Sequence, residues 1–198
     1  MRILEDLGKR LLFFDGGMGT LLQENGLGPG ELPELWNLSR PEIIFDIHSR
    51  YRRAGADILK TNTFGANAIK LHGSGRSAEE IIFAAVEIAK KAADGALVAM
   101  DIGPTGKLLK PLGDLAFEDA VSVFSEAAEV GKKAGADIIL IETMSDTYEC
   151  KAAVLAAKQT GLPVFATMVA DEQGKLLTGG APMPYTMPKF TAFARLRI

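Results

Sequence analysis

The chain has 198 residues, of which 47% are hydrophobic, and its formal net charge is -3. This composition excludes a disordered or fibrous chain and provides enough apolar material for a sizeable core. The charge is mild and forms no basic stripe, so the sequence has no electrostatic footprint for nucleic acid.

The amino-terminal segment 1–14 mixes charged with apolar residues. We therefore expect neither a signal peptide nor a membrane span, because both need an uninterrupted apolar stretch. A cytoplasmic location follows by default. The single cysteine, Cys150, fits a reducing compartment, since it leaves no partner for an internal disulfide.

Five short apolar runs, each ending in a polar residue, alternate with helical segments. They cover residues 11–15, 58–62, 96–101, 138–142 and 164–167. Runs of this length predict buried parallel strands, and the alternation is typical of a β/α barrel or a doubly wound sheet. The fragment Ala-Gly-Ala-Asp-Ile occurs at 54–58 and again at 134–138, each time between a helix and a strand. We therefore expect a repeated strand-helix unit whose polar strand ends meet at one rim.

Four helices are predicted between the strands. Capping-box patterns that start at Ser39 and Ser77 mark two helix starts, and glycines mark most of the stops. The predicted helices begin at Ser39, at Ser77, at about Phe117 and near Asp146, and they end at Gly55, Asp94-Gly95, Gly135 and Thr160-Gly161 respectively.

The carboxyl-terminal segment breaks this pattern. Residues 179–198 contain no Asp or Glu, and Pro182, Pro184 and Pro188 lie where a helix would be interrupted. We therefore predict a folded unit over 1–178 followed by an irregular tail over 179–198. A second interpretation is that the coding frame was interrupted near Thr178, so that this tail is not native.

A carboxylate and three glycines follow the first run, in the segment Asp15-Gly-Gly-Met-Gly-Thr20. The N–H groups of Gly16 and Gly17 can face an anion without a side chain in the way. This arrangement suits an amino acid, whose ammonium group would pair with Asp15. The alternative is that Asp15 caps the next helix and the glycines form a tight turn. Leu22 stands where a dinucleotide fingerprint requires its third glycine, so a dinucleotide site is not expected.

Three other strand ends carry candidate residues. Glu142 ends the most hydrophobic run, where burial is costly unless the carboxylate meets a cation, either a ligand ammonium or a lysine or arginine. Asn62 offers a neutral donor and acceptor, with packing or turn formation as the alternative. Asp101 precedes a loop built from glycine and proline, and it is either a rim carboxylate or a turn residue.

No metal site is expected from the histidines and the cysteine. His48, His72 and Cys150 are far apart in sequence, whereas a zinc site needs three or four converging ligands. We interpret Cys150 as an ordinary helix thiol and Trp36 as a packing residue.

Four segments, in this order, resemble the homocysteine S-methyltransferase family, which includes the amino-terminal domain of cobalamin-dependent methionine synthase. They are residues 15–20, 48–67, 101–106 and 141–146, and the resemblance covers about residues 10–178. It implies an α/β fold of the (β/α)8 TIM-barrel type, incomplete here, with about five of the eight strand-helix units. It also implies methyl transfer to the thiol of homocysteine, which gives methionine.

The resemblance implies a set of substrate-binding residues at the carboxyl rim. Their expected roles are to hold the homocysteine ammonium (Asp15 and Glu142), to hold its carboxylate through backbone N–H groups (Gly16 and Gly17) and to line the pocket (Asn62 and Thr143).

The family also needs a metal, because a free thiol is mostly protonated at neutral pH and zinc coordination deprotonates it. The resemblance implies cysteine ligands for zinc on later strands of the barrel, which this chain lacks, and Cys150 lies outside the matching segments. We therefore expect no activity from this chain alone. The implied methyl donor is a methyl corrinoid, carried by another domain or protein.

Other functions remain open at this point. A non-catalytic amino-acid-binding or assembly fragment would keep the ligand cradle without turnover, and an unrelated barrel lyase or aldolase would use Lys60 as a Schiff-base nucleophile. Five strands of a barrel leave open sheet edges, so we also expect self-association or completion by another polypeptide.

Overall fold

A computed structural model describes residues 3–178. The predicted tail over 179–198 lies outside the described residues. In the part that is described, no helix combines the length and the apolar character that crossing a membrane requires. The elements in chain order are α1 Ile3–Asp6, α2 Met18–Glu24, a 3-10 turn Pro33–Leu35, α3 Trp36–Ser39, α4 Pro41–Arg53, β1 Ile58–Lys60, α5 Ala78–Ala93, β2 Leu97–Ile102, α6 Phe117–Ala134, β3 Ile138–Met144, α7 Thr147–Gln159 and β4 Val164–Met168.

The strands form one parallel sheet in the order β1-β2-β3-β4. Successive strands are neighbours, and α5, α6 and α7 connect them. This is the α/β arrangement of the barrel type that the sequence predicted. The described residues contain four strands, compared with eight in a closed barrel.

The first apolar run is not a strand, contrary to our prediction. It forms an isolated parallel bridge between Phe14 and Ile58. The Asp57 carboxylate accepts the N–H of Phe13 at 3.0 Å, so a side chain replaces part of the ladder. Leu11 and Phe13 are 78% and 58% exposed, which shows that one side of this segment has no packing partner among the described residues.

All four predicted helices are present, as α4, α5, α6 and α7, and one of the two predicted capping boxes is confirmed. Ser77 caps α5 with the reciprocal bonds of a capping box to Glu80, and α6 and α7 lie where the pattern placed them. The predicted box at Ser39 is wrong. The Ser39 hydroxyl donates to the carbonyl of Leu35 within the preceding turn, and α4 starts at Pro41 without a side-chain cap.

The two faces of the sheet differ in what covers them. Met100, Ile139 and Ile141 point outward and pack with residues of α5, α6 and α7. On the inner face, the amino-terminal parts of the strands carry a small apolar cluster. Its buried members are Ile3, Ile58, Leu97, Ala99, Ile138 and Leu140.

The sheet is strongly curled. Phe14, beside β1, and Phe165, in β4, make an edge-to-face contact with 6.2 Å between the ring centroids. These residues lie at opposite edges of the sheet, so the inner face is concave. Because side chains alternate along a strand, the next inward positions above the apolar cluster are Lys60, Asp101 and Glu142.

The close approach of α6 to β2 gives a first prediction. A Cβ atom on Gly131 would lie 2.7 Å from Cγ of the fully buried Met100, so Gly131→Ala should lower the free energy of unfolding by about 1–3 kcal/mol through overpacking. Urea denaturation measures this change. Gly19→Ala is the matched control, since that helical position has no atom within 4 Å. Equal stability of the Gly131→Ala variant and the wild type would contradict this account of the packing.

Candidate functional site

The polar ends of the strands surround a cavity of about 310 Å³ at the carboxyl rim of the sheet. The six residues predicted to bind substrate all line it. The complete lining is Asp15, Gly16, Gly17, Met18, Gly19, Pro33, Glu34, Lys60, Thr61, Asn62, Phe64, Asp101, Glu142 and Thr143.

Asp15 is anchored at the base of the cavity wall. Its Oδ2 accepts the backbone N–H of Lys60 at 3.0 Å, whereas Oδ1 is buried and has no hydrogen-bond partner in the described part of the chain. It does not cap the next helix, because the N-cap of α2 is Gly17 and no side chain bonds there. Burial raises the pKa of Asp15 to about 7, although the Lys60 N–H and ammonium oppose this shift.

His48 of α4 lies behind Asp15. It is fully buried, and its Nδ1 is 3.9 Å from Oδ2 of Asp15, which is too long for a hydrogen bond. Burial lowers the pKa of His48 to about 4, so the ring is neutral at physiological pH. The proximity of His48 to Asp15 could not be predicted from local patterns, since His48 lies on α4 and Asp15 precedes α2.

Glu142 is paired with a lysine. From the sequence, its partner could have been either a ligand ammonium or a lysine or arginine of the chain. Lys60 Nζ lies 3.4 Å from Oε1 and 3.2 Å from Oε2 of Glu142. Burial alone would lower the pKa of Lys60, but the negative charges of Glu142, Asp101 and Asp15 outweigh this and raise the pKa above its ordinary value. Lys60 is therefore an ammonium ion at neutral pH.

Asp101 lies inside β2 and not in the following turn. It is 5% exposed, and its Oδ1 has no hydrogen-bond partner among the described residues. Burial and the nearby charge of Glu142 raise the pKa of Asp101 well above its ordinary value. Among the described residues, the cavity lining thus carries the carboxyl groups of Asp15, Asp101 and Glu142 around the ammonium group of Lys60.

The glycine loop is held by α4. The Tyr51 hydroxyl donates to the carbonyl of Gly17 at 2.9 Å, and a Cβ atom on Gly16 would lie 2.7 Å from this hydroxyl oxygen. No side chain can therefore be added at Gly16 without moving Tyr51. At Gly17 nothing lies within 4 Å of the corresponding position, so the space next to the loop is open.

Asn62 is bonded into the wall of the cavity. Its amide nitrogen donates to the carbonyl of Pro33 at 2.8 Å and to Oδ1 of Asn37 at 3.2 Å. The Asn37 amide donates back to the carbonyl of Asn62 at 2.8 Å. Asn62 therefore fixes the 3-10 turn and α3 against the end of β1.

A bulge at the end of β3 positions Glu142 and Thr143. The register shifts between Ile141 and Met144, and Thr143 has a φ of 65°. This conformation is unfavourable for a β-branched residue, at roughly 1–3 kcal/mol. The Thr143 N–H donates to the Thr167 hydroxyl at 3.1 Å, which supports the strained geometry.

Two buried glutamates fix the rim loops, and sequence reasoning missed both. Oε1 of Glu34 accepts the Gly65 N–H at 2.6 Å. Oε1 of Glu149 accepts the Thr105 N–H at 2.8 Å and the Thr105 hydroxyl at 2.5 Å. Glu149 stands three residues after the cap Asp146, so in the sequence it has the spacing of an ordinary capping glutamate.

The described residues do not provide a metal-ligand set. They contain no group of three or more His, Cys, Asp or Glu side chains that could hold a metal ion. Cys150 lies on α7, outside the cavity lining, and burial raises the pKa of its thiol to about 11. The present side chains of this part of the chain therefore do not fit zinc.

Residues 12–191 match the family model described as homocysteine S-methyltransferase. A methionine synthase of Mycobacterium leprae (strain TN) is 33% identical over 89% of this chain, which spans only 16% of that protein.

The fold has counterparts among solved structures. The oxidized form of the homocysteine methyltransferase MmuM from Escherichia coli has a TM-score of 0.76 and 23% identity, over 90% of this chain and 69% of that one. Its metallated form has a TM-score of 0.74 and 24% identity, over 91% and 70% of the two chains. At these identities the likeness establishes a shared fold.

The raised pKa of Asp15 predicts a pH-dependent stability. The folded protein holds a proton on Asp15 up to about pH 7, whereas the unfolded chain releases it near the ordinary pKa of 3.8. The stability from Asp15 is therefore full below pH 3.8 and is lost as the pH rises towards 7. Asp15→Asn cannot ionise, so its free energy of unfolding relative to the wild type should increase by about 1–3 kcal/mol over this window.

Urea denaturation between pH 4 and pH 8.5 measures the difference between the two proteins. His48 is present in both, so comparing them isolates Asp15. Asp119→Asn, at an exposed position of α6, is the control for a simple loss of charge. A constant difference between wild type and Asp15→Asn across the pH range would show that Asp15 is not protonated in the folded state.

Proposed function

Because the chain belongs to the homocysteine S-methyltransferase family, we propose that its cavity binds homocysteine and presents the thiol for methylation, with methionine as the product. The observation that supports this most strongly is the convergence of Asp15 and Glu142 with the glycine loop on one cavity. Acidic groups and free backbone N–H donors are what the two charged ends of an amino acid require.

The proposed binding mode places the homocysteine ammonium between Asp15 and Glu142. An ammonium next to Asp15 favours the ionised carboxylate, because opposite charges stabilise each other where burial has removed water. Binding should therefore release the proton that Asp15 holds below pH 7. The ligand carboxylate would lie against the N–H groups near Gly16 and Gly17, and Asn62 and Thr143 would line the remaining wall.

Activation of the thiol is a separate requirement. When bound, zinc would convert the thiol to a thiolate, which is the nucleophile in alkyl transfer. The described residues do not fit this metal, so their proposed role ends at binding and orienting homocysteine. A corrinoid-carrying domain or protein would supply the methyl group. In this proposal the chain is cytoplasmic, has no methyltransferase activity alone and carries its partial barrel within residues 1–178.

A second candidate is a non-catalytic amino-acid-binding or assembly fragment. Two observations favour it. The cavity is lined by all six residues that were predicted to bind substrate, and residues 3–178 contain no metal-ligand group. Homocysteine binding without methionine formation from methylcobalamin, in the presence of zinc, would favour this candidate. Methionine formation would favour the methyltransferase.

The geometry disfavours an aldolase that forms a Schiff base on Lys60. A Schiff-base lysine has to be a neutral amine when it attacks, and such lysines have lowered pKa values. The acidic surroundings raise the pKa of Lys60 instead.

Glu142→Gln tests the proposed binding mode. A neutral amide cannot pair with the ligand ammonium, so homocysteine affinity should fall about 10- to 100-fold, which corresponds to about 1.4–2.8 kcal/mol. Isothermal titration calorimetry under reducing conditions measures the affinity. Glu126→Gln, at an exposed position on α6, is the matched control. Unchanged affinity in the Glu142→Gln variant would exclude this carboxylate from the binding site.

The open edges predict self-association. β4 is half-buried along its length and is the last strand of the sheet in the described part of the chain. Leu11, Phe13 and Val169 are 78%, 58% and 47% exposed. Unpaired strand edges with exposed apolar side chains favour pairing between chains. The mass from size-exclusion chromatography with light scattering should rise with protein concentration, and a monodisperse monomer with cooperative thermal unfolding would contradict this prediction.

A further inference from the structure

Lys60 is the only cationic side chain in the cavity lining that the structure describes. Its side chain is 20% exposed and that of Glu142 is 22% exposed. The Lys60–Glu142 ion pair therefore stands on the cavity wall and contacts the space that a ligand would enter.

The ion pair is a loose one. Its two N···O distances are 3.4 and 3.2 Å, whereas strong charge-assisted contacts measure about 2.7–2.9 Å. At the opposite end of the strands, Lys90 Nζ lies 2.7 Å from Oδ2 of Asp137. The backbone of Lys60 is nevertheless fixed, since its N–H donates to Asp15. The flexible four-carbon stem lets Nζ move while this backbone bond remains.

A ligand ammonium and the ammonium of lysine carry the same three N–H donors. Both would bind the same oxygens of Glu142, so they compete. The negative charge of Glu142 itself helps to keep Lys60 charged, and the competition therefore persists through neutral pH. Before a ligand enters, Lys60 has a stabilising role, because a partly buried carboxylate without a partner is costly.

We propose that Lys60 is an internal counter-ion of Glu142 which an incoming ammonium must displace, and that it thereby limits the affinity of this cavity for amine-bearing ligands. This inference rests on the proposed function, since it takes homocysteine as the ligand. Lys60 is a specificity-determining residue in this account, and it takes no part in methyl transfer.

Lys60→Met tests the displacement, because methionine keeps most of the stem and removes the charge. The probes are homocysteine and 3-aminopropane-1-thiol, which has the same thiol and ammonium but no carboxylate. Both should bind the variant about three- to tenfold more tightly than the wild type in calorimetry. Lys90→Met removes a lysine from the ion pair at the far end of the sheet and should leave both affinities unchanged.

Two further variants separate the charge from the shape of the side chain. Lys60→Gln is neutral and polar, so it should also bind more tightly, and it replaces the methionine variant if that protein does not fold. Lys60→Arg keeps the positive charge and should bind no more tightly than the wild type. A merely structural role for Lys60 would weaken binding in all three variants and would overturn the proposal.

A third probe, 4-sulfanylbutanoate, lacks the ammonium. If neutralising Lys60 weakens the binding of this acid and of homocysteine, then Lys60 holds the ligand carboxylate and the displacement model is wrong. If the wild type binds homocysteine and neither neutral variant binds more tightly, the inference fails and the proposed function stands. If no protein in the series binds homocysteine, the proposed function itself fails, and the inference fails with it.

Discussion

The parallel register of β1, β2 and β3 is the constraint on which the candidate site depends. Lys60 pairs with Ala99, Ala99 with Ile138, and Asp101 with Leu140. The inward residues of neighbouring strands therefore form matching layers. The layer at the amino ends is apolar, and the layer at the carboxyl ends is charged. A slip of one residue in β2 would turn Asp101 away from the cavity and towards the helices. The register is fixed because apolar residues on both faces of the sheet must be buried. The same register places Lys60, Asp101 and Glu142 at the cavity.

The cavity combines excess acidity with a rigid frame. Asp15 and Asp101 each leave one buried carboxyl oxygen without a partner among the described residues, which is costly in an apolar surrounding. A cation that enters the cavity relieves this cost. Meanwhile Glu34 and Glu149 hold the rim loops through backbone bonds. The frame is therefore formed before a ligand arrives, and less binding free energy is lost to ordering.

Most of the fold follows from local sequence patterns. The helix α6 could be predicted from its periodicity and from Gly135, which stops it in a left-handed conformation, and α5 from the reciprocal bonds of Ser77 and Glu80. The pattern at Ser39 failed because its hydroxyl had a competing acceptor one turn earlier. The run before Asp15 has the composition of a strand, but whether such a run joins the ladder depends on neighbours that its own residues do not specify.

The sequence by itself determined which chemical groups stand at the rim of the sheet, because a short apolar run that stops at Asp15, Asp101 or Glu142 carries this information within a few residues. Only the tertiary structure decided what those groups meet. Lys60 and Glu142 are 82 residues apart, and their contact needs both the register and the curl of the sheet. The strained conformation of Thr143 likewise depends on a bulge that could not be predicted from the residue types at this position. Local patterns encode periodicity and caps, whereas the pairing of distant charges is set by how the whole sheet closes on itself.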